Sequence, residues 1–377
     1  MSEATDIEFM QRAVSLAKKG ERTTQPNPRV GCVIVNEGRI VGQGYHHSAG
    51  ELHAERVALL EAGEEARGAT AYVSLEPCCH QGRTPPCTDG LIDAGVTKVV
   101  AAMSDPNPRV GGSGFELLGN AGIEVVSDVL HDEALWLNRG FVSRMVRKRP
   151  WVKLKSAATL DGRTAAYDGR SKWITGEVAR QQVQSLRSEC SAVVTGIGTV
   201  LADDPNMNVR ANQSFEVERQ PYRVVLDTQL QTPLDSRIIG SDQKLIIFTL
   251  SQDLDRVSAL IEQGAEVIQM QGDVNNKLDL DRVLAELAKW ECNEVLIEAG
   301  QTLSGAFLQK GLVDELALYY AGSLLGDKGK SMFEFEQPIE FEKRAEFKVK
   351  HVEMVGDDLR VDAINPESWK NLQNDLG

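Results

Sequence analysis

Residues 53–87 run HAERVALLEAGEEARGATAYVSLEPCCHQGRTPPC, and the reading of the first half of the chain starts from them. From His53 to Gly63 apolar positions recur at helical spacing, and AYVSLEP, ending at Pro77, is a strand. A histidine therefore opens a helix, a glutamate follows two residues later, and a Pro-Cys pair lies 25 residues beyond the histidine. Three of the six cysteines, Cys78, Cys79 and Cys87, crowd into ten residues, a pattern that in a cytosolic chain suggests metal before disulfide. Zinc in a catalytic site takes three protein ligands and keeps a fourth position for water. His53, Cys78 and Cys87 fit that count, with Cys79 and His80 as nearby competitors for the metal. If Cys78 and Cys87 begin helices, the positive ends of the dipoles favour their thiolates. A structural zinc knuckle would normally use four protein ligands and has no need of Glu55. The lone Cys32, Cys190 and Cys292 read as core residues.

Outward from this stretch, residues 7–20, IEFMQRAVSLAKKG, form a helix that stops at Gly20, and RVGCVIVNEGRIVGQGYH forms two strands about a turn. Beyond Cys87, TDGLIDAG is a helix and VTKVVAAM a strand. Alternation at these lengths predicts a three-layer α/β domain. The hexapeptide PNPRVG occurs at 26–31 and again at 106–111. The second copy reads as a turn built from Pro and Asn, whereas the first leads into a strand beside the candidate site, so Asn27 is placed facing a ligand.

At 377 residues the chain favours two or three domains. No run of about 18 uncharged apolar residues exists, and the start MSEATDIEFM lacks a secretory layout, so the expected location is cytoplasmic. The formal charge is −14, from 41 basic against 55 acidic residues, which disfavours non-specific binding to nucleic acid or anionic membrane. Residues 1–149 hold 16 basic and 19 acidic residues, leaving 25 against 36 for the remainder, so the excess acid sits in the second half. A phosphorylated ligand there would need a few placed arginines. RMVRKRP, ending at Pro150, sets the boundary between a first domain, 1–149, and a second, 150–367. The basic run itself reads as a solvated helix end. In the second domain WVKLKSAATLDG, YRVVLDT, KLIIFTL and EVIQM are strands; EVARQQVQSLRSEC, LDRVSALIEQG and LDRVLAELAKW are helices. AVVTGIGTVLADDP is a strand running into a loop, and EVLIEAG–QTLSGAFLQKG a strand, a glycine-bounded turn and a helix. Residues 368–377 look like a loose tail.

The His-x-Glu and Pro-Cys pattern matches the signature of zinc deaminases, in which the glutamate carries the water's proton to a leaving amine. The common form separates its cysteines by two residues; eight separate Cys78 from Cys87. That wider spacing, with EPCCHQGRTPPC, resembles the deaminase half of the bifunctional riboflavin-biosynthesis deaminase-reductases, where EPCxHxGxTPPC is distinctive. The resemblance extends to PNPRVG, to GYHHSAGELHAE around His53, to DPNPRVGGSG at 105–114 and to most of the second half. It implies a cytidine-deaminase-like fold for the first domain, with His53, Cys78 and Cys87 on Zn2+, Glu55 as the proton shuttle, and Asn27, His46 and Arg83 toward the pyrimidine. Arg83 stands where other members can have Lys.

The second domain is hard to assign from its residues alone. GIGTVL at 196–201 has Leu201 where a dinucleotide fingerprint needs Gly or Ala, so a Rossmann site is not expected. EAGQTLSGAF at 298–307 sets two glycines five apart between strand and helix, where main-chain amides could cradle a phosphate. KSAATLDGRTA, SKWITG, TVLADDPNMNVR and EAGQTLSGAFLQKGLVDE resemble the reductase half of the same family. That resemblance implies a dihydrofolate-reductase-like α/β fold and NADPH. By position it places Ala157, Trp173, Thr199, Asp203, Thr228, Gly300, Gln301, Thr302, Leu303, Ser304, Gly305 and Ala306 on the cofactor. Ser171, Arg187, Met207, Arg210 and Glu298 fall on the substrate, and Lys155 joins them as a polar candidate of its own. Arg187 and Arg210 would hold a ribose phosphate by bidentate bonds. Asp161 is a further polar candidate, Thr159 replaces a Ser common in the family, and Trp173 taken alone reads as core. Self-association into a homo-oligomer is also implied.

Overall fold

The computed structural model describes residues 3–81, 85–107, 111–211, 217, 219–240 and 244–375. It divides into two compact units, one running through Lys148 and joined by the chain from Leu372 onward, the other spanning Arg149–Asn371.

The first unit contains α1 (Glu3–Ala17), β1 (Gly31–Asn36), β2 (Arg39–Tyr45), α2 (Ala54–Ala62), β3 (Thr70–Val73), α3 (Cys87–Asp93), β4 (Lys98–Ala101), α4 (Ser113–Asn120), β5 (Glu124–Val126) and α5 (His131–Val146). Its sheet has the order β2-β1-β3-β4-β5, antiparallel at β2-β1-β3 and parallel at β3-β4-β5. Helices cover both faces, which makes the expected three layers. Ala54, Ala58 and Ala62 recur every four residues and are all buried, giving α2 a narrow apolar stripe. The stripe lies close on β2, where a Cβ on Gly44 would fall 2.7 Å from the Ala54 carbonyl oxygen. Only glycine lets the start of α2 approach the sheet this closely.

The second unit contains β6 (Trp151–Thr159), β7 (Arg163–Ala165), α6 (Glu177–Glu189), β8 (Ala192–Gly196), α7 (Ile197–Asp203), β9 (Tyr222–Leu226), β10 (Leu245–Thr249), α8 (Leu254–Glu262), β11 (Ala265–Gln269), α9 (Leu280–Lys289), β12 (Glu294–Ile297), α10 (Gln301–Gln309), β13 (Glu315–Ala321), β14 (Lys330–Ser331), β15 (Lys348–Val355), β16 (Asp358–Ile364) and most of α11 (Pro366–Asn374), whose residues from Leu372 onward count with the first unit. The main sheet runs β11-β10-β9-β8-β12-β6-β13-β16-β15, parallel through β13 and antiparallel at the last two strands. Strand residues alternate between two cores. Val194, Val224 and Ile246 face α9 and α10, while Val193, Val225 and Ile247 pack with Leu260 of α8.

Two expectations are corrected here. The segment after β8 is not a loop but the helix α7, which ends at Asp204 in a left-handed conformation, φ 43°. The end of the chain is not a loose tail. Asn365 caps α11, its side chain accepting from the Glu367 and Ser368 amides, and Pro366 occupies the first turn. Trp369 lies edge-on to Trp151 at 6.4 Å, and Leu372 is fully buried. Among the described residues no helix is long and apolar enough to cross a membrane.

Candidate functional site

In the first unit His53 immediately precedes α2, with extended backbone, and Glu55 lies in the helix's first turn. Cys87 opens α3, whereas Cys78 sits in the irregular segment after β3, so only one of the two cysteines begins a helix. His53 Nδ1 lies 3.4 Å from Cys78 Sγ and 3.3 Å from Cys87 Sγ. All three donor atoms fall within 4.8 Å of one another. A tetrahedral zinc with ordinary Zn–N and Zn–S bonds would hold N and S about 3.6 Å apart, so the donor set fits the metal with a shift of a few tenths of an ångström. Among the described residues Cys79 and His80 are not part of this group.

The Cys87 main-chain amide, at the start of α3, also donates to Cys78 Sγ at 3.4 Å. The hydrogen bond from the Cys87 thiol holds the Cys78 thiol well below its ordinary value, with the His53 ring and this amide adding to the effect. Cys87 shifts the other way as the donor of that bond and through burial. A metal would take the place of the shared proton. Glu55 is 3% exposed, and burial followed by the charge of Cys78 pushes its carboxyl up to about 7. A carboxyl of that strength, buried beside a metal position, is suited to accepting and returning a proton near neutral pH.

Asn27 and His46 come together at this site. Asn27 Nδ2 lies 3.0 Å from His46 Nε2, and His46 Nδ1 lies 3.1 Å from the Leu52 carbonyl. Leu52 can only accept, so the proton sits on Nδ1 and Nε2 accepts from Asn27. Burial lowers the His46 pKa, which keeps the ring neutral. The rings of His46 and His53 meet edge to face at 5.2 Å. Arg29, two residues after Asn27, is buried and anchors this segment to α5 by donating to the Leu137 carbonyl and exchanging bonds with Asn138. Arg83 lies outside the described residues.

Sequence reasoning missed two residues. Asp105, just before the second PNPRVG, has its carboxyl pushed up to about 7, by burial first and also by the charges of Glu76 and Cys78, against the lowering effect of the Asn107 amide. Asp105, directly ahead of the second copy, thus lies within electrostatic reach of Cys78, while residues 108–110 of that copy lie outside the described residues. Glu76 is 3% exposed and accepts four main-chain hydrogen bonds. The available signal was an acidic residue inside EPCC, two positions from a ligand.

In the second unit six of the predicted ligand-binding residues lie on or just after neighbouring parallel strands, toward their carboxyl ends, the usual crevice of an open α/β sheet. In sheet order β9-β8-β12-β6, Thr228 follows β9, Thr199 lies just past β8, Glu298 and Gly300 follow β12, and Lys155 and Ala157 lie on β6. Arg187 and Glu298, both expected on the substrate, bind each other through bonds of 2.6 and 2.9 Å, and Arg187 also donates to the Asn208 carbonyl at 2.9 Å. The Arg187 fork is therefore filled by a carboxylate, whereas Arg210 is exposed. Lys155 stands near this pair, its pKa lowered by burial, with opposing effects from Glu298 and Arg187. The Met207 side chain is core, 4% exposed among Val200, Leu230 and Ile238, which leaves only its backbone to reach a ligand.

Gly300 precedes α10 with open space about it, but Ser304 and Gly305 are buried, and a Cβ on Gly305 would collide with the Glu334 carbonyl. Gly305 thus serves packing, and the phosphate cradle shrinks to the first turn of α10. Leu303 and Ala306 pack against the core, while Gln301 and Thr302 bond to the Glu334 carboxylate. Asp203 is exposed at the end of α7 and Ser171 is half-buried. Trp173 is not core: it is 71% exposed, with the Arg180 guanidinium 4.6 Å from its ring centre. Asp161 accepts from the Leu325 and Gly326 amides and from Thr159. The basic run is not a solvated end throughout, since Arg149 forms a two-bond pair with the buried Asp314.

A family model described as the cytidine and deoxycytidylate deaminase zinc-binding region matches residues 3–103, and one described as the RibD C-terminal domain matches residues 150–361. The riboflavin biosynthesis protein RibD of Haemophilus influenzae is 44% identical over 366 residues, which cover 94% of this chain and 96% of that protein. That of Escherichia coli is 45% identical over 363 residues, covering 94% and 98%. Among solved structures, RibD of Acinetobacter baumannii matches with a TM-score of 0.90 at 44% identity, over 96% of this chain and 99% of that one. A diaminohydroxyphosphoribosylaminopyrimidine deaminase/5-amino-6-(5-phosphoribosylamino)uracil reductase of Thermotoga maritima matches with 0.84 at 35%, over the same shares.

Proposed function

Because the chain belongs to the RibD family of riboflavin-biosynthesis proteins, a deaminase and a reductase in one polypeptide, we propose the residues through which each half works. The deaminase removes an exocyclic amine from 2,5-diamino-6-(5-phosphoribosylamino)pyrimidin-4-one. The reductase then converts the ribosyl group of 5-amino-6-(5-phosphoribosylamino)uracil to ribityl. The cofactors are Zn2+ and NADPH. We assign residues 1–149 to the deaminase and the chain from 150 to the reductase.

His53, Cys78 and Cys87 hold the zinc, which when bound acidifies water and supplies hydroxide at neutral pH. Glu55 takes the water's proton and hands it to the departing amine. Asn27, with one N–H committed to His46, turns its carbonyl and second N–H toward the pyrimidine edge, with Arg83 as a further contact. The observation that carries this reading is the triad of donors with a buried carboxylate two residues along the chain.

In the second half NADPH supplies the hydride. Lys155 and the Arg187–Glu298 pair orient the ribose, Arg210 holds the phosphate, and Ser171 and the Met207 backbone complete the substrate contacts. Thr199, Thr228 and the first turn of α10 take the cofactor, with Asp203 and Ala157 at its margins, and Trp173 offers the nicotinamide the face away from Arg180.

The test is a coupled assay on pure protein. Ammonia release from the diaminopyrimidinone, NADPH oxidation on the deaminated product, and one zinc per chain by elemental analysis support the reading. No ammonia release from folded, zinc-loaded protein overturns the deaminase assignment. Two finer readings are ours as well: a cytoplasmic location, supported by membership of a family of metabolic enzymes, and a homo-oligomer, supported by the exposed Val349, Val352 and Met354 on the edge strand β15. Sedimentation of the pure chain as a monomer would remove the second.

A further inference from the structure

Between the end of β3 and Cys78 the chain passes through Glu76, whose amide donates to the Met103 carbonyl just beyond β4. This fixes the backbone, and the side chain then points to a third segment. Oε2 accepts from the Asp105 amide at 3.0 Å and from the Gly112 amide at 3.0 Å. Oε1 accepts from the Gly114 amide at 2.9 Å and from the Phe115 amide at 3.3 Å. Among the described residues no cation pairs with it. A buried carboxylate balanced only by main-chain N–H groups is an anion held by oriented dipoles, here including those at the start of α4.

The four donors come from two places. Asp105 lies where the chain enters the stretch after β4, and Gly112, Gly114 and Phe115 lie where it leaves into α4. One carboxylate therefore pins both, and it does so two residues from Cys78. Asp105 in turn orders its neighbour, its Oδ1 accepting from the Asn107 amide at 2.8 Å.

We propose that Glu76 is a positioning residue of the deaminase: it fixes the Asp105–Asn107 stretch against the metal-binding segment, so that these residues form the rim over which the pyrimidine enters. This rests on the deaminase reading of the His53–Cys78–Cys87 site. A role confined to the metal would act through zinc affinity and turnover. A role in the rim acts through substrate binding.

The experiment uses the full chain, with its reductase activity as an internal measure of folding. Glu76→Gln keeps the shape, but it turns an N–H toward two of the four donors. The expected result is unchanged zinc content, unchanged reductase turnover, and a deaminase KM raised about 10- to 100-fold, the scale of one hydrogen bond to a charged group, with kcat changed less than about threefold. Unchanged KM, lost zinc, or a fall in kcat as large as the rise in KM overturns the proposal. Should Glu76→Gln fail to fold, Gly114→Ala provides a second route, because its Cβ collides with the Pro77 carbonyl and pushes the first turn of α4 away without altering the carboxylate. The same KM rise is expected, and none would overturn the proposal. Ammonia release by the unsubstituted chain tests the deaminase reading separately.

Discussion

Glu55 sits in a first helical turn with almost no contact with solvent, and its chemistry follows from that placement. Burial and the neighbouring sulfur charge raise its pKa to about 7, while a bound divalent cation pulls it down. Accepting a proton requires the carboxylate, so deaminase kcat/KM should rise with pH along a limb centred at or below about 7. Glu55→Gln should retain zinc, lower kcat by roughly 10²- to 10⁴-fold, and flatten that limb; a pH profile of ammonia release checks both. Arg187 makes a different case. Its fork is filled by Glu298, and both side chains are nearly buried. Arg187→Ala would leave a buried carboxylate without its hydrogen-bonded partner, and the expected loss is about 3–5 kcal/mol of stability, measured by urea unfolding. The identities of these residues were legible in the sequence. Their partners were not, because Arg187 and Glu298 lie 111 positions apart and spacing says nothing of such a pair.

Helices and strands with a long apolar period, such as α1, α8, α9 and β10, were readable because their own residues carry the pattern. Two elements were misread, and α4, β5, α5, β13, β15 and β16 drew no reading. The glycines at the start of α7 resemble a turn, and its seven residues offer under two turns of periodicity. The end of the chain was polar enough to read as a tail, although Asn365-Pro366 is a cap followed by a first-turn proline. What orders that end is burial against residues remote in sequence, with Trp151 meeting Trp369. Leu372→Ala should therefore cost about 2–5 kcal/mol, visible as a lowered midpoint in urea, whereas a loose tail would show no change.

For the whole molecule, the metal donors and the carboxylate were legible because they lie within 35 residues, 53–87. The reductase crevice depends on a strand order, β9-β8-β12-β6, that no local pattern encodes. The two halves use separate cofactors, so stripping zinc with a chelator should abolish ammonia release while NADPH oxidation on the deaminated intermediate continues, and adding zinc back should restore the first activity. Trp173 adds one more consequence. It is the only strongly exposed indole among five tryptophans, so its emission should be red-shifted and open to quenching by acrylamide. Dihydronicotinamide seated against it would drain that emission by resonance transfer and shield it from the quencher. With the nicotinamide at Trp173, as proposed, the reductase half would carry an optical gauge of coenzyme occupancy, readable without a single turnover.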